Sequence, residues 1–194
     1  MFFISLILPE FSFFTSNGII DYMKTCIIGL GNPGDKYKGS RHNAGFDLLD
    51  IFVKSNSLKD FTFSKNINAE ISENQNIIIV KPHSFMNLSG IVVKKTIKKF
   101  GIKPENIIVI HDDIDIEIGK IKISKNRGSA GHKGIDSIIK EIGSKNFTRI
   151  RIGILPNKKP TKVDDFVLKS FNLEEKELLN NAYLKILKEL NKWI

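Results

Sequence analysis

Cysteine and arginine are scarce in this 194-residue chain, which has one cysteine, one tryptophan, three tyrosines and four arginines. The single cysteine, Cys26, excludes an internal disulfide and fits a reducing compartment such as the cytoplasm. Cys26 lies in an apolar run, so we interpret it as a buried core residue, with a nucleophile as the alternative. No apolar run reaches the roughly 20 residues that a membrane-spanning helix needs, so no membrane partner is expected.

The first 22 residues lack the marks of a targeting segment. They are rich in phenylalanine, but Pro9 and Glu10 interrupt them, and they show neither a basic start nor an Ala-x-Ala cleavage pattern. Met23 stands directly before the first strand-like run. We therefore expect residues 1–22 to be a non-native or disordered extension and residues 23–194 to form one domain, with translation starting at Met23. Detection of peptides from residues 1–22 in the native protein would contradict this hypothesis.

Negative charge is in deficit, because 21 acidic residues face 30 lysines and arginines, which gives a net charge of +9. Basic surfaces attract phosphates, so this balance favours a polyanionic partner such as nucleic acid. A lysine-rich compositional bias is the alternative. The few arginines lie in or beside the polar motifs described below, which favours phosphate contacts; they are Arg41, Arg127, Arg149 and Arg151.

Strand-like and helix-like runs alternate along the rest of the chain. Strands are predicted over 24–29, 61–64, 69–72, 76–81, 106–111, 116–123 and 148–155, and helices over 43–56, 88–100, 134–142 and 173–193. The alternation predicts a single-domain α/β fold in which helices flank a mixed, mostly parallel, twisted sheet. Because ligands bind beyond the carboxyl ends of such strands, four polar residues are expected to converge on one crevice. These are Asn32, His42, Asn87 and Asp112.

The glycine-rich run at 29–34 formally matches the dinucleotide pattern Gly-x-Gly-x-x-Gly. A dinucleotide site needs a helix directly after this loop, so that the helix N-terminus holds the pyrophosphate. Here residues 35–41 intervene, and Pro33 removes one amide donor. We therefore interpret the glycines as residues of a tight turn, and a nicotinamide-dependent oxidoreductase remains a rival function.

Two further motifs contain residue types suited to general-base catalysis. Histidine exchanges a proton near neutral pH, so His42 is a candidate base, with a solvated or capping histidine as the alternative. Asp112 could fix the tautomer of an imidazole and stabilise the imidazolium. With His42, His83 or His132 it could instead hold a metal ion, although no His-x-x-x-His pattern occurs.

The run at 82–90 contains Asn87, whose carboxamide could donate to a carbonyl or a developing oxyanion. A helix cap is the alternative interpretation of Asn87. Phe85 and Met86 are either core residues or the apolar wall of a substrate groove. The loop at 127–134 enters a helix, and its amides and basic side chains suit phosphate or ester oxygens. No Gly-x-Ser-x-Gly elbow is present, so we expect direct attack by water.

In their combination and order these motifs resemble the bacterial-type peptidyl-tRNA hydrolase family. The resemblance runs from Met23 to the last helix. It rests on Gly29-Leu30-Gly31-Asn32-Pro33-Gly34, Tyr37, Arg41-His42-Asn43-Ala44-Gly45, Phe85-Met86-Asn87-Leu88-Ser89-Gly90, His111-Asp112, Gly131-His132-x-Gly134 and the segments 147–154 and 165–168.

The resemblance implies a monomeric, cytoplasmic esterase without metal or cofactor that hydrolyses peptidyl-tRNA from stalled or prematurely released translation. It implies that His42 is the general base, that Asp112 favours its proton-accepting form, and that Asn32 contacts the peptide backbone. It places the substrate and the tRNA acceptor stem at Tyr37, Phe85, Asn87, Lys122 and Arg151, beside the groove candidate Met86. At Lys133 the chain departs from the family, because many members have asparagine there and lysine lacks the carbonyl acceptor. A non-catalytic RNA-binding module is a second rival.

Overall fold

Seven strands form one sheet in the computed structural model, which describes residues 24–156, 158 and 160–193. The extension expected at residues 1–22 lies outside the described residues. The strands are β1 (Thr25–Gly29), β2 (Thr62–Ser64), β3 (Ala69–Glu73), β4 (Ile77–Pro82), β5 (Ile107–Glu117), β6 (Ile121–Lys125) and β7 (Thr148–Leu155). The helices are α1 (Ala44–Ser55), α2 (Ser89–Phe100), α3 (Lys133–Ile142), α4 (Val163–Val167) and α5 (Leu173–Leu190).

The strand order is β2-β3-β4-β1-β5-β7-β6. The central strands β4, β1, β5 and β7 are parallel, whereas β2, β3 and β6 add antiparallel pairings at the two edges. Helices cover both faces of the sheet. Ile27 of β1 packs in one core beneath α1 and α5, and Ile28 packs in a second core beneath α2 and α3. Burial on both faces explains the continuous apolar runs of the central strands, and the predicted α/β fold is confirmed.

Two strand predictions need correction. The strand predicted to end at residue 111 continues to Glu117 as β5, and the strand predicted over 116–123 is divided by a turn. Gly119 in that turn has a φ of 81°, a conformation that favours glycine, and the chain reverses there so that β6 pairs antiparallel with β7. Pairing with β7 keeps β5 extended past residue 111. Asp112 therefore lies inside β5 rather than after it.

The other predicted elements begin and end within one residue of those observed, except at the last helix, where α5 ends at Leu190 and a 3-10 helix follows over Asn191–Trp193. The short helix α4 is absent from the predictions. Among the described residues, the helices are all too short or too polar to cross a membrane.

Two glycines bring α1 against the carboxyl end of the sheet. A Cβ at Gly45 would lie 2.6 Å from the backbone nitrogen of Leu30, and a Cβ at Gly29 would lie 2.5 Å from the carbonyl oxygen of Gly45. Larger residues would push the helix away from β1. This close approach places the 3-10 helix Arg41–Asn43, directly before α1, beside the ends of β1 and β5.

Candidate catalytic site

Arg41 fixes the segment that contains His42. Its guanidinium donates to both carboxylate oxygens of Glu175, at 2.8 and 2.6 Å, and to the carbonyl oxygens of Lys169 and Ser170. The side chain is buried, and these internal partners occupy both of its terminal nitrogens, Nη1 and Nη2. The expected phosphate contact is therefore wrong for Arg41, which instead ties the site to the start of α5.

His42 and Asp112 form a buried pair. His42 Nδ1 lies 2.9 Å from each carboxylate oxygen of Asp112. Burial of Asp112 raises its pKa, but His42 and His132 more than compensate, so the pKa lies well below its ordinary value and the carboxylate is ionised. An ionised acceptor keeps the proton on Nδ1, which leaves a lone pair on Nε2. Within the described part of the chain Nε2 has no hydrogen-bond partner, as a general base requires.

His132 is a third member of this cluster, which the sequence analysis considers only as a possible metal ligand. Its Nε2 lies 3.0 Å from Asp112 Oδ1, and its Nδ1 accepts from the backbone amides of Gly134 and Ile135 at the start of α3. Because Nδ1 accepts, the proton resides on Nε2, which donates to Asp112. The motif Gly131-His132-x-Gly134 marks the residue in sequence, but only the start of α3 reveals its orientation.

The same three side chains match the composition of a metal site, since one potential ligand atom from each of His42, Asp112 and His132 lies within 4.8 Å of the others. Binding a metal through His132 Nε2 would move its proton to Nδ1. There the proton would face two amide N–H groups, which donate to Nδ1 in the folded protein. The arrangement is therefore better suited to holding protons than to holding a cation.

His111 packs against the cluster of His42, Asp112 and His132. It is buried, its Nδ1 donates to the carbonyl oxygen of Asp112 at 2.6 Å, and its ring lies 4.5 Å from that of His132. Burial, followed by the influence of His132, holds the pKa of His111 well below its ordinary value. His111 is therefore neutral at neutral pH and serves as packing rather than as a base.

Asn32 is held by three hydrogen bonds. Its Oδ1 accepts from the amide of Met86 at 2.8 Å, and its backbone N–H and carbonyl both bond to the side chain of Asn43. The amide nitrogen Nδ2 of Asn32 forms no bond with another described residue, so it remains able to donate to a ligand. Asn43, which the sequence analysis does not single out, thus orients Asn32 from the position next to His42.

The predicted groove residues divide into buried and exposed groups. Met86 packs in the second core at 4% exposure and contributes its backbone amide rather than an apolar wall. Phe85 is 54% exposed, and its ring meets Tyr37 edge-on at 6.4 Å. Asn87 is exposed, and neither adjoining helix has a side-chain cap, so the capping alternative is not realised.

A cavity of about 240 Å³ opens beside the His42–Asp112 pair. His132 and Lys133 line one wall, and α4 lines the other. Lys133 Nζ pairs with Asp164 Oδ2 of α4 at 2.7 Å, and both side chains are more than half exposed. The residue that departs from the family pattern therefore reaches the mouth of this cavity.

A second cavity, of about 350 Å³, is lined by arginines. Arg127, Arg149 and Arg151 face it together with Asp113, which also lines the first cavity. Arg151 donates to Asp113 at 2.7 Å and lies directly across from Lys122 in the pairing of β6 with β7. The structure thus places the two predicted acceptor-stem residues opposite each other on neighbouring strands, with Arg151 lining the second cavity.

The fold and the site define an α/β protein with a buried His42–Asp112 pair, which lines the first cavity and lies near the second, arginine-lined cavity. A family model described as Peptidyl-tRNA hydrolase matches residues 26–194. A peptidyl-tRNA hydrolase from Thermodesulfovibrio yellowstonii is 46% identical over 157 residues, which cover 77% of this chain and 81% of the relative. Another, from Mycoplasma mycoides subsp. mycoides, is 40% identical over 168 residues, covering 85% and 90% respectively.

Solved structures agree with the sequence relatives. The crystal structure of peptidyl-tRNA hydrolase from Acinetobacter baumannii superposes with a TM-score of 0.82 at 29% identity, over 89% of each chain. The chain belongs to the peptidyl-tRNA hydrolase family, and the resemblance stated from the motifs is confirmed.

Proposed function

We propose that this chain hydrolyses the ester bond between peptide and tRNA in peptidyl-tRNA and so recycles tRNA from stalled or prematurely released products. Membership of the family and the names of the relatives support the substrate and the bond. The observation that carries the proposal is the buried His42–Asp112 pair, in which Nε2 of His42 has no hydrogen-bond partner among the described residues.

In the proposed reaction, His42 Nε2 removes a proton from water while the water oxygen attacks the ester carbonyl. The new positive charge on the imidazole lies against the Asp112 carboxylate, which stabilises it. When the tetrahedral intermediate collapses, His42 returns the proton to the departing ribose oxygen. The products are tRNA and the peptide acid, which then releases its remaining proton to solvent, and the base is restored.

The remaining residues are assigned to binding. The free Nδ2 of Asn32 contacts the peptide backbone, and the exposed carboxamide of Asn87 donates to the ester carbonyl or its oxyanion. Tyr37 and Phe85 supply an aromatic surface for the substrate. Lys133 lies at the cavity mouth, where its pair with Asp164 competes with any substrate contact.

The cationic cavity is assigned to the acceptor stem. Arg127 and Arg151 line it, whereas Arg149 is buried and donates to the carbonyl oxygen of Gly128. Phosphate oxygens of the stem would bind by charge-assisted hydrogen bonds at Arg151 and at Lys122, which lies across from Arg151 on β6. Removing either side chain is expected to weaken tRNA binding and to reduce its dependence on salt concentration. Catalysis without a metal or cofactor, a monomeric state and a cytoplasmic location complete the proposal.

The two rivals find less support. The loop at 30–34 leads into a 3-10 helix over Asp35–Tyr37, and α1 begins only at Ala44, so the glycines are not followed directly by a long helix. This arrangement disfavours a dinucleotide site. A non-catalytic RNA-binding module would explain the cationic cavity but gives no reason to bury an ionised aspartate against two histidines.

The experiment that tests the proposal compares two substrates. N-acetyl-aminoacyl-tRNA and unblocked aminoacyl-tRNA are incubated with the full chain, with and without EDTA, and the free tRNA is measured. We expect cleavage of the blocked substrate alone, at the same rate in EDTA. Tight tRNA binding without cleavage would favour the RNA-binding rival, and a thermal shift with NAD would favour the oxidoreductase.

A further inference from the structure

Two imidazoles share one buried carboxylate in this site. Asp112 Oδ1 lies 2.9 Å from His42 Nδ1 and 3.0 Å from His132 Nε2, while Oδ2 lies 2.9 Å from His42 Nδ1. No other hydrogen bond to this carboxylate is formed within the described ranges. Asp112 is 2% exposed, so its carboxylate depends on these two imidazoles for its hydrogen bonds.

His132 is held on its other side by a separate set of bonds. Its Nδ1 accepts from Gly134 N at 3.1 Å and from Ile135 N at 3.3 Å, as the N-cap of α3. The imidazole therefore bridges two rigid elements, α3 and β5. Both of its nitrogens are occupied, so His132 has no free nitrogen with which to exchange a proton with substrate.

We infer that His132 is a positioning residue for the proposed hydrolysis, which holds the Asp112 carboxylate in the place and charge state that His42 requires. The inference rests on the proposed function. Without His132, the Asp112 carboxylate has His42 as its one donor and can rotate. Its ionised form is then stabilised by one imidazole instead of two. The His42 ring then loses the fixed acceptor that keeps its proton on Nδ1 and its lone pair toward water.

The two nitrogens of His132 can be tested separately by two amide substitutions. In His132→Asn, the side-chain oxygen takes the place of Nδ1 and still caps α3, but the side chain is too short to donate to Asp112. In His132→Gln, the amide nitrogen extends to the place of Nε2 and donates to Asp112, whereas the cap is lost. If His132 only caps α3, His132→Gln should hydrolyse the substrate more slowly than His132→Asn. If it positions Asp112, His132→Asn should be the slower variant.

Asn74→Ala is the matched control for a lost backbone acceptor. Asn74 Oδ1 accepts from the amides of Asn76 and Ile77, as His132 Nδ1 does from two amides, but it does so at the amino end of β4, away from the site. Its loss is expected to lower the melting temperature and to leave the turnover rate unaltered.

The measurement is the single-turnover rate, the KM and the melting temperature of each protein with N-acetyl-aminoacyl-tRNA. We expect His132→Asn to lose on the order of tenfold or more in rate, since a hydrogen bond to a charged group is lost, with little change in KM or melting temperature. His132→Gln should recover most of that rate while melting at a lower temperature.

Two outcomes overturn the inference alone: an active wild type with an equally active His132→Asn variant, or rates that follow the melting temperatures in all variants. A folded wild type that does not cleave the substrate overturns the proposed function, and the role of His132 with it.

Discussion

Asp112→Asn removes the charge at the centre of the site while keeping the size of the side chain. The carboxylate receives N–H donors from both His42 and His132. An amide offers only one acceptor, Oδ1, and its other end is an NH₂ donor. If Oδ1 accepts from His132, the NH₂ group takes the place of Oδ2, 2.9 Å from His42 Nδ1, where it can donate to that nitrogen even though Oδ1 also lies 2.9 Å from it.

That reversed bond changes the tautomer of His42. With Nδ1 accepting, the proton of the neutral ring moves to Nε2, and the lone pair needed to activate water is lost. In the opposite orientation of the amide, its NH₂ group meets the Nε2–H of His132, and two donors face each other in a buried site. Either orientation therefore damages the base or the packing around it.

General-base catalysis contributes about 10²–10⁴-fold, so we expect the single-turnover rate of Asp112→Asn to fall by a factor in that range. At about 1.4 kcal/mol per tenfold, the loss corresponds to about 3–6 kcal/mol of transition-state stabilisation. The assay is cleavage of N-acetyl-aminoacyl-tRNA with enzyme in excess, so that product release does not limit the rate. Binding of tRNA should be retained, because the cationic cavity is untouched.

Asp60→Asn is the control, since it removes the same charge from an exposed aspartate ahead of β2. It should cleave at the wild-type rate. If folded Asp112→Asn cleaved within about threefold of the wild type, the tautomer argument would be refuted, because a misplaced proton cannot leave general-base catalysis intact.

Three further predictions concern stability and reactivity. Burial, with a neighbouring aspartate, raises the pKa of Asp47 to about 6. Because ionisation is penalised in the folded state, stability is lost as pH rises from about 4 to about 6. Asp47→Asn should therefore add about 1–2 kcal/mol to the free energy of unfolding at neutral pH but nothing below about pH 4, and urea denaturation at both pH values measures this. Burial raises the pKa of Cys26 to about 12, so native protein should react with a thiol reagent only as fast as it unfolds; rapid labelling at pH 8 would contradict this. A Cβ at Gly90 would collide with the backbone of Ser137 where α2 meets α3, so Gly90→Ala should lower the free energy of unfolding by about 2 kcal/mol or more, as measured by thermal unfolding. Gly128→Ala is the control, since a Cβ there meets open space and should leave stability almost unchanged.

The central strands are predictable from the sequence because both of their faces are buried. β1, β4 and the first half of β5 are continuous apolar runs that end in glycine, proline or charged residues. The second half of β5 is not predictable in this way, since its three aspartates at 112, 113 and 115 resemble a turn and pairing with β7 keeps them extended. At five residues, α4 is too short to show a helical period.

The catalytic candidates are predictable only in part. His42 and Asp112 stand out by residue type and by the family motifs, although Asp112 lies inside β5 rather than at its end. The roles of Arg41 and His132 depend on contacts that sequence spacing does not reveal: Arg41 reaches Glu175, 134 positions away, and His132 is oriented by the first amides of α3. Short polar motifs identify which residues matter, and tertiary packing decides which of them face substrate.

The most direct test of the general-base role is single-turnover cleavage of N-acetyl-aminoacyl-tRNA by the wild type and by His42→Ala, with EDTA present throughout. We expect the wild type to cleave and the variant to lose about 10²-fold or more in rate while still binding tRNA. Equal cleavage by the two proteins would show that His42 is not the base and would contradict the mechanism proposed for this chain.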